Sequence, residues 1–312
     1  MSRRPFPSWW PVVAVPLLVG IVVGLVATNP ASTVVTRQSV VRAQLPQESI
    51  FDISHRWYNG VALPAVQKDL PQWRRKTGEH PAIVSIYTNL AAPFPLPQVK
   101  AIIAGGAMPL IQINPRGDSL SAVVAGRYDR QLAADAKAIA KLRRQVAISF
   151  AHEMNGPWTG WGCQHVTPAV YRAAFRHVHS KINSRTVLWV WNPSAEGHSN
   201  KCPVAEWYPG SRYVNWVGLD GYLRTAKSSF RQIFNSTISL LRRLAPGKPM
   251  LLAETGVPVS AAMRPQLRAL YDGARKAGMI GIVWFDGKTR LGNYEPFTNR
   301  KFLVTFRRMI RE

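Results

Sequence analysis

An apolar segment near the middle of the chain is followed at once by a dense set of polar and aromatic side chains. Residues 146–151 are mostly apolar and predict a β-strand. The residues of interest after it are His152, Glu153, Asn155, Trp158 and Trp161. A carboxyl group beside aromatic rings combines a proton donor with flat apolar surfaces, and this combination suits acid catalysis on a sugar.

Two other interpretations of this segment need weighing. His-Glu also begins the helical zinc-protease motif, but that motif requires a second His one turn later, where this chain has Gly156. Pro157 comes next and would break the helix. A zinc protease is therefore disfavoured, and no metal ion or cofactor is expected. The remaining alternative is a buried His-Glu pair that only closes a strand.

The elements that position these residues alternate along the chain. Strands are predicted at residues 50–55, 82–87, 109–113, 146–151, 186–191, 214–219, 249–253 and 280–285. Helices are predicted at residues 63–77, 98–104, 127–144, 168–182, 229–244, 265–277 and 300–311. Continuous apolar strands are typical of parallel sheets that are covered on both faces.

Eight strands, most of them followed by helices, predict an α/β fold of the (β/α)8 TIM-barrel type for residues 48–312. The alternative is an open doubly wound sheet, but no Gly-rich phosphate loop follows the first predicted strand. In a barrel, catalytic side chains lie at the carboxyl ends of the strands. The polar residues predicted at those ends are His55, His152, Glu153, Asn192, Asp220, Tyr222, Glu254 and Asp286.

Glu153 and Glu254 form the predicted catalytic pair, because strands four and seven end on opposite sides of the barrel mouth. The separation of their carboxyl groups, which distinguishes retaining from inverting enzymes, is not readable from the sequence. Tyr222 is a candidate donor to Glu254, and His152 is a candidate orienting group for either carboxylate.

Sugar binding is predicted for a wider set of side chains at the same end. Trp158 and Trp161 lie in a Gly-rich loop and are expected to contact the substrate. His55, Asn155 and Asn192 are candidates for binding sugar hydroxyls or for simple loop roles. Trp191 and Trp284 each lie at or near the end of a predicted strand, and each is either a core residue or a substrate contact.

The residues around these carboxylates resemble glycoside hydrolase family 26, a family best known for β-mannanases. The resemblance is carried by residues 152–156 with Trp158 and Trp161, and by residues 126–129, 217–222 and 253–256. It implies a (β/α)8 barrel and a retaining double displacement, with Glu153 as acid/base and Glu254 as nucleophile. It also implies that Tyr222 lies near the nucleophile and that Trp284 is an aromatic platform below the reactive sugar.

One departure from the family leaves the substrate open. Family members often carry Arg three residues before the motif His, and this chain has Ser149 there. The resemblance implies cleavage of a β-linked polysaccharide, either β-mannan, a β-glucan or a xylan. A glycan of the cell's own envelope is a further candidate, which rests on the uncharged run at residues 9–27 and the basic charge. A monomer is expected.

The N-terminal region predicts a membrane attachment. Residues 9–27 carry no charge and are about long enough to cross a bilayer. We therefore divide the chain into a short tail and transmembrane signal anchor (1–28), a polar linker (29–47) and the barrel domain (48–312). The expected location is the cell membrane with the barrel domain outside, and a cleaved signal peptide with a secreted domain is the alternative.

The charge of the chain indicates which molecules it could bind, and its two cysteines are candidates for a disulfide. Lys and Arg number 40 against 16 Asp and Glu, for a net charge of +24. This excess favours an anionic neighbour such as lipid headgroups, an acidic wall polymer or nucleic acid, unless the protein is only generally basic. Cys163 and Cys202 are candidates for one disulfide between neighbouring loops, with two free thiols as the alternative.

Two further functions compete with hydrolysis. A carbohydrate-binding protein on the same fold would not need both Glu153 and Glu254, which this chain retains. A nucleic-acid binder is suggested only by the charge. No nucleic-acid-binding motif is recognisable in the sequence, and the aromatic residues cluster near carboxylates, which repel phosphate. No nucleic-acid partner is expected.

Overall fold

Eight parallel β-strands close into a barrel in which each strand pairs with the next and β8 pairs with β1. The computed structural model describes residues 57–115, 119–195 and 202–312. The barrel strands are β1 (Tyr58–Ala62), β2 (Ile83–Asn89), β3 (Met108–Asn114), β4 (Val146–Phe150), β5 (Val187–Trp191), β6 (Trp216–Tyr222), β7 (Met250–Gly256) and β8 (Gly281–Phe285). The predicted barrel is therefore confirmed.

Helices cover the outside of this barrel. They are α1 (Val66–Thr77), α2 (Leu96–Ala104), α3 (Leu120–Val124), α4 (Asp129–Leu142), α5 (Pro168–Ile182), α6 (Phe230–Leu244), α7 (Arg264–Lys276) and α8 (Arg300–Met309). Two short 3₁₀ turns lie between β5 and β6, and a small hairpin of β9 (Lys288–Thr289) and β10 (Gly292–Asn293) follows β8. Local capping fits these bounds, since Thr167, Ser229 and Asn299 each accept a backbone N–H in the first turn of α5, α6 and α8.

The core has two layers because successive strand residues face opposite sides of the sheet. The inner layer fills the barrel and includes Met108, Leu110, Val190, Leu251 and Val283. The outer layer packs the other strand face against the helices. Within the described residues, both layers are made of residues from Trp57 onward. Glu48–Glu312 form one compact unit, which is the property expected of a fragment that folds by itself.

The first strand is the main correction to the predicted elements. β1 is Tyr58–Ala62, whereas the sequence predicted a strand at residues 50–55. Residues 50–55 lie outside the described part of the chain, as do the predicted anchor and linker. The other seven predicted strands overlap β2 to β8. The sequence Tyr58-Asn59-Gly60-Val61-Ala62 was missed because its Asn-Gly pair is typical of a turn.

The described residues contain no candidate membrane-spanning helix. No helix within residues 57–115, 119–195 and 202–312 has both the length and the apolar character needed to cross a bilayer. The predicted anchor at residues 9–27 lies outside these ranges.

Arginines link the carboxyl-terminal ends of neighbouring helices. Arg242 of α6 donates to the carbonyl of Ala277 after α7, and Arg275 of α7 donates to that of Met309 in α8 (2.7 Å). Arg307 of α8 donates to the carbonyl of Lys76 in α1 (2.9 Å). The last carbonyls of a helix lack partners within the helix, so each arginine satisfies the end of the adjacent helix. We call these contacts the arginine belt.

Candidate active site

Glu254 faces the barrel interior because β7 contains a bulge. Leu252 pairs with Ile282 of β8 and Thr255 pairs with Trp284, so two residues of β7 stand opposite the single residue Val283. A bulge of this kind lets two consecutive side chains face the same side and is often found beside active sites. Ala253 belongs to the inner core layer, and Glu254 also points inward, where strand alternation alone would turn it outward.

Two tyrosine hydroxyls hold the Glu254 carboxylate. Tyr222, at the end of β6, donates to Oε1, and Tyr87 in β2 donates to Oε2. Burial raises the pKa of both phenols well above the usual range, and the negative charge of Glu254 raises it further. Both hydroxyls therefore remain protonated donors. Two donated hydrogen bonds stabilise an ionised carboxylate in a fixed orientation.

Tyr87 was not predicted as a site residue. It is separated from Glu254 by 167 positions in the sequence and is a tyrosine near the end of an apolar strand. Its one sequence signal is its place at the carboxyl end of the predicted second strand, a place that a core tyrosine can occupy equally well. The barrel closure that brings β2 near β7 is what makes the contact.

We expect Tyr87→Phe to lower kcat/KM for polysaccharide hydrolysis by roughly 10- to 100-fold. A hydrogen bond to a charged group contributes about 1.5–3 kcal/mol, and this one orients the Glu254 carboxylate, which is predicted to be catalytic. Steady-state kinetics would measure the change. Tyr171→Phe is the matched control, because the Tyr171 hydroxyl is buried near the Phe150 carbonyl at 3.5 Å and touches neither carboxylate. Unchanged kinetics in Tyr87→Phe would show that the contact has no catalytic effect.

Glu153 occupies a backbone conformation that L-residues seldom adopt. Ala151 and Glu153 have φ values of 51° and 53°, in the left-handed region. Such residues cost on the order of 1–3 kcal/mol each, and they occur mostly at functional sites. The Ala151 N–H donates to the carbonyl of Ile113 (2.9 Å), and the Glu153 N–H donates to that of Asn192 (2.8 Å). The strands on both sides of β4 thus hold the turn that presents Glu153.

The Trp-rich loop after β4 wraps over this carboxyl group. Trp158 is 49% exposed, and its indole N–H donates to Glu153 Oε2. Trp161 is nearly buried, and its indole N–H donates to the carbonyl of His152 (2.7 Å). The His152 ring lies between Tyr87 and Trp161, with ring centres 5.8 and 6.0 Å away. His152 is thereby fixed as part of the wall beside Glu254.

A disulfide joins this loop to the next one. Cys163 and Cys202 are bonded, with their Cα atoms 5.9 Å apart and a sequence separation of 39. The Cys163 N–H also donates to the carbonyl of Met154 (2.8 Å). The loop that carries Trp158 and Trp161 is therefore fastened to the segment after β5.

A cleft of about 450 Å³ opens over these groups. Its wall is formed by Tyr87, Asn114, His152, Trp158, Thr159, Gly160, Trp161, Glu254 and Phe285. Asn114, at the end of β3, was not predicted, although an amide at a strand end is the same signal that identified Asn192. Its Oδ1 is buried and has no hydrogen-bond partner among the described residues, so it is available to a sugar hydroxyl.

Trp284, which the resemblance implied to be a platform below the reactive sugar, does not line the cleft, whereas the neighbouring residue Phe285 does. Trp284 is fully buried, packs against Phe302 and Phe306 of α8, and donates to the carbonyl of Tyr294 (2.8 Å). Phe285 is the next residue and therefore faces the inside of the barrel, beside Glu254. Trp191 is likewise fully buried in the outer core layer.

Two further residues predicted to contact sugar, Asn155 and Asn192, do not line the cleft. Asn155 is fully buried and uses its amide to bind Ser194, donating to its carbonyl and accepting from its N–H (2.7 and 2.8 Å). Asn192 is 1% exposed and donates to Asp220 (3.0 Å). Both amides therefore position the loops that follow β4 and β5. His55 lies outside the described residues.

Asp220 is a third carboxyl group below the pair. It is completely buried, and burial raises its pKa well above the ordinary range, with the charges of Glu254 and Glu153 raising it further. Burial therefore favours the protonated form of Asp220. One ligand atom each from His152, Asp220 and Glu254 lie within 4.8 Å of one another, a grouping that can hold a cation. Because Asp220 is buried and Glu254 already accepts from two tyrosines, these residues make a weak donor set for a cation.

A second pocket of about 450 Å³ lies where β8 ends, lined by residues that include Asp69, Lys76, Asp286 and Glu295. Burial raises the pKa of Asp286 to about 7, and the charges of Glu295 and Asp69 add to this, while Lys76 opposes it. An unfolded Asp has a pKa of about 3.9, so between about pH 4 and 7 the folded state binds this proton and the unfolded state does not. The free energy of unfolding should therefore fall as pH rises through that window.

We expect Asp286→Asn to remove this pH dependence. The difference in the free energy of unfolding between wild type and Asp286→Asn should change by on the order of 1–2 kcal/mol between about pH 4 and 7. This figure allows for the partial exposure of the Asp286 carboxyl group. Urea unfolding at pH 5 and at pH 8 would measure it. Asp272→Asn, at an exposed helix position, is the matched control. Parallel pH profiles for wild type and Asp286→Asn would contradict the assignment.

Comparison with known proteins finds a family that resembles this barrel. The family model of glycosyl hydrolase family 26 matches residues 109–259, from β3 to just beyond β7. Over this region the chain is similar to glycosyl hydrolase family 26. The matched region contains both Glu153 and Glu254.

Characterised relatives share only part of their length with this chain. It is 26% identical over 206 residues to endoglucanase H of Acetivibrio thermocellus, covering 61% of this chain and 23% of that protein. It is 29% identical over 151 residues to a mannan endo-1,4-β-mannosidase of Bacillus subtilis, covering 44% and 38%. The chain thus spans well under half the length of either relative.

The fold agrees with a solved family 26 structure. The catalytic domain of the endo-β-1,4-mannanase of Bacillus sp. JAMB-750 superposes with a TM-score of 0.66. The superposition covers 83% of this chain and 86% of that one, at 17% identity. At this identity the likeness establishes the shared barrel fold.

Proposed function

We propose that this chain is a glycoside hydrolase that cleaves a β-linked polysaccharide. The observation that carries the proposal is the Glu254 carboxylate, held by Tyr87 and Tyr222 in a cleft that also receives Trp158, the partner of Glu153. Two carboxyl groups in different surroundings, with aromatic walls, are what glycoside hydrolysis requires. The relatives named as a mannanase and an endoglucanase support a β-linked substrate.

The proposed mechanism is a retaining double displacement. The Glu254 carboxylate attacks the anomeric carbon, the glycosidic C–O bond breaks, and the departing oxygen takes the proton of Glu153. Glu153 then removes a proton from water, whose oxygen attacks the same carbon and releases Glu254. The tyrosine hydroxyls support Glu254 as the ionised partner, and the solvent-facing position of Trp158 beside Glu153 supports access of water to that side.

The substrate is tested with a panel of β-mannan, mixed-linkage glucan, xylan and envelope polysaccharide, using residues 48–312. Cleavage of one polymer, lost in Glu153→Gln, would establish the reaction and the substrate together. Proton NMR of the first-formed product would show retention of the β-anomer if the double displacement is correct. Binding without cleavage of any polymer would instead favour a carbohydrate-binding protein.

We also propose that the barrel domain lies outside the cell, attached through residues 9–27. Disulfides persist in oxidising compartments, so the bond between Cys163 and Cys202 supports an external location. The uncharged run at residues 9–27 supports membrane attachment over secretion. Fractionation of cells and protease accessibility of the intact chain would test both points, and recovery of the chain in the soluble fraction would reject the anchor.

A further inference from the structure

Positive charge is concentrated at the end of the barrel opposite the cleft. Helices in this fold run antiparallel to the strands, so their last turns lie where the strands begin. The last turns of α1, α4, α5, α6, α7 and α8 all contain Lys or Arg. None of these turns contains Asp or Glu. We call this end, with the loops that lead into the strands, the base.

The arginine belt explains only part of this charge. Arg242, Arg275 and Arg307 serve as caps for neighbouring helices. A further set at the base is exposed and makes no hydrogen bond or ion pair with any residue in the described part of the chain. Its members are Arg75, Arg144, Arg185, Arg243 and Lys276. Helix dipoles favour cations at these ends, but that effect is small at exposed sites and does not require so many.

Acidic groups are found mainly at the opposite end. The mouth carries Glu153, Glu254, Asp286 and Glu295. At the base, Glu79 and Glu312 are each paired with an arginine, Arg311 and Arg308 respectively. The base therefore carries basic side chains with few acids among them, whereas the mouth carries both basic and acidic side chains. A generally basic protein would show no such difference between its ends.

The chain itself enters the barrel at the base. Trp57 precedes β1, and its ring lies 4.9 Å from the Arg275 guanidinium of the arginine belt. Asn59 donates to the carbonyl of Ile310, just after α8. The uncharged run at residues 9–27 precedes this point in the sequence.

We propose that the base is a docking surface for anionic lipid headgroups. Each Lys or Arg near an anionic bilayer adds to the attraction, which weakens with salt. Docking at the base directs the cleft away from the bilayer, where a polymeric substrate has room to enter. This inference goes beyond the hydrolytic function and does not depend on it.

Vesicle binding by residues 48–312 tests the proposal without the predicted anchor. Vesicles of phosphatidylcholine alone and vesicles that also contain phosphatidylglycerol would be sedimented with the protein at low and high salt. The wild type should bind only the phosphatidylglycerol vesicles, and high salt should release it. The base variant combines Arg75→Gln, Arg144→Gln, Arg185→Gln, Arg243→Gln and Lys276→Gln. We expect it to bind about 10²- to 10³-fold more weakly.

A matched variant removes the same charge from the mouth end. It combines Lys227→Gln, Arg231→Gln, Arg268→Gln, Arg290→Gln and Arg300→Gln, all at exposed positions. Its vesicle binding should stay within a few-fold of wild type. Wild-type binding by the base variant, or equal loss in both variants, would overturn the proposal. Binding to inorganic polyphosphate without binding to phosphatidylglycerol vesicles would overturn the choice of lipid. Circular dichroism would verify that both variants are folded.

Discussion

Replacing Glu254 by Ala is expected to abolish polysaccharide hydrolysis, with kcat reduced by about 10⁴-fold or more. The carboxylate is the proposed nucleophile, and the two tyrosine hydroxyls that hold it have no chemical reactivity that could replace it. The fold should survive, because Glu254 is partly exposed at the end of β7 and contributes little apolar packing. Steady-state hydrolysis and thermal unfolding would measure the two effects separately.

Azide distinguishes a lost nucleophile from a damaged site. In Glu254→Ala, azide can occupy the space of the missing carboxylate and attack the anomeric carbon of an aryl glycoside, giving a glycosyl azide of inverted configuration. Glu295→Ala is the matched control, since Glu295 is also an acid at the mouth but pairs with Lys288 (3.3 Å). It should keep wild-type turnover. Wild-type-like turnover in Glu254→Ala would discard the assignment of the nucleophile.

The second large effect is expected for Glu153→Gln. Loss of a general acid lowers rates by about 10²- to 10⁴-fold, and the natural leaving group, a sugar alkoxide, depends strongly on that proton. An aryl glycoside with an acidic phenol needs little protonation, so its first step should be nearly normal in the variant. The steady-state rate should then be limited by the second step, hydrolysis of the glycosyl-enzyme, in which Glu153 acts as base.

Kinetics on the two classes of substrate would test this assignment. The expected signature is a strong loss on polysaccharide, together with a burst of phenol from the aryl glycoside as the glycosyl-enzyme accumulates. Glu206→Gln, at an exposed position after β5, is the control and should match wild type on both substrates. Equal losses on polysaccharide and aryl glycoside would mean that Glu153 is not the proton donor.

Phe285 and Glu254 show where sequence reasoning stops. Strand alternation predicts that neighbours face opposite sides, but it does not say which side is the barrel interior. The sequence alone therefore did not decide whether Trp284 faces the cleft or the core, and the barrel register placed it outward against α8. At Glu254 the bulge in β7 overrides alternation altogether, and a bulge depends on pairing with β6 and β8.

The amino-acid sequence by itself determined the local and repetitive features of this protein. Apolar runs, helix periodicity and caps located seven of the eight barrel strands, and the His152-Glu153 motif and Glu254 marked the candidate catalytic pair. These features are read from neighbouring residues, so no knowledge of long-range contacts is needed.

Only the tertiary structure decided what depends on distant parts of the chain. Tyr87 meets Glu254 across 167 positions, Asn155 and Asn192 turn out to support loops, and the basic side chains collect at one end of the barrel. Closure of the barrel brings these groups together, and its register and bulge arise from backbone pairing between strands. No local pattern of side chains encodes that pairing, because it is set by how all eight strands fit around one core.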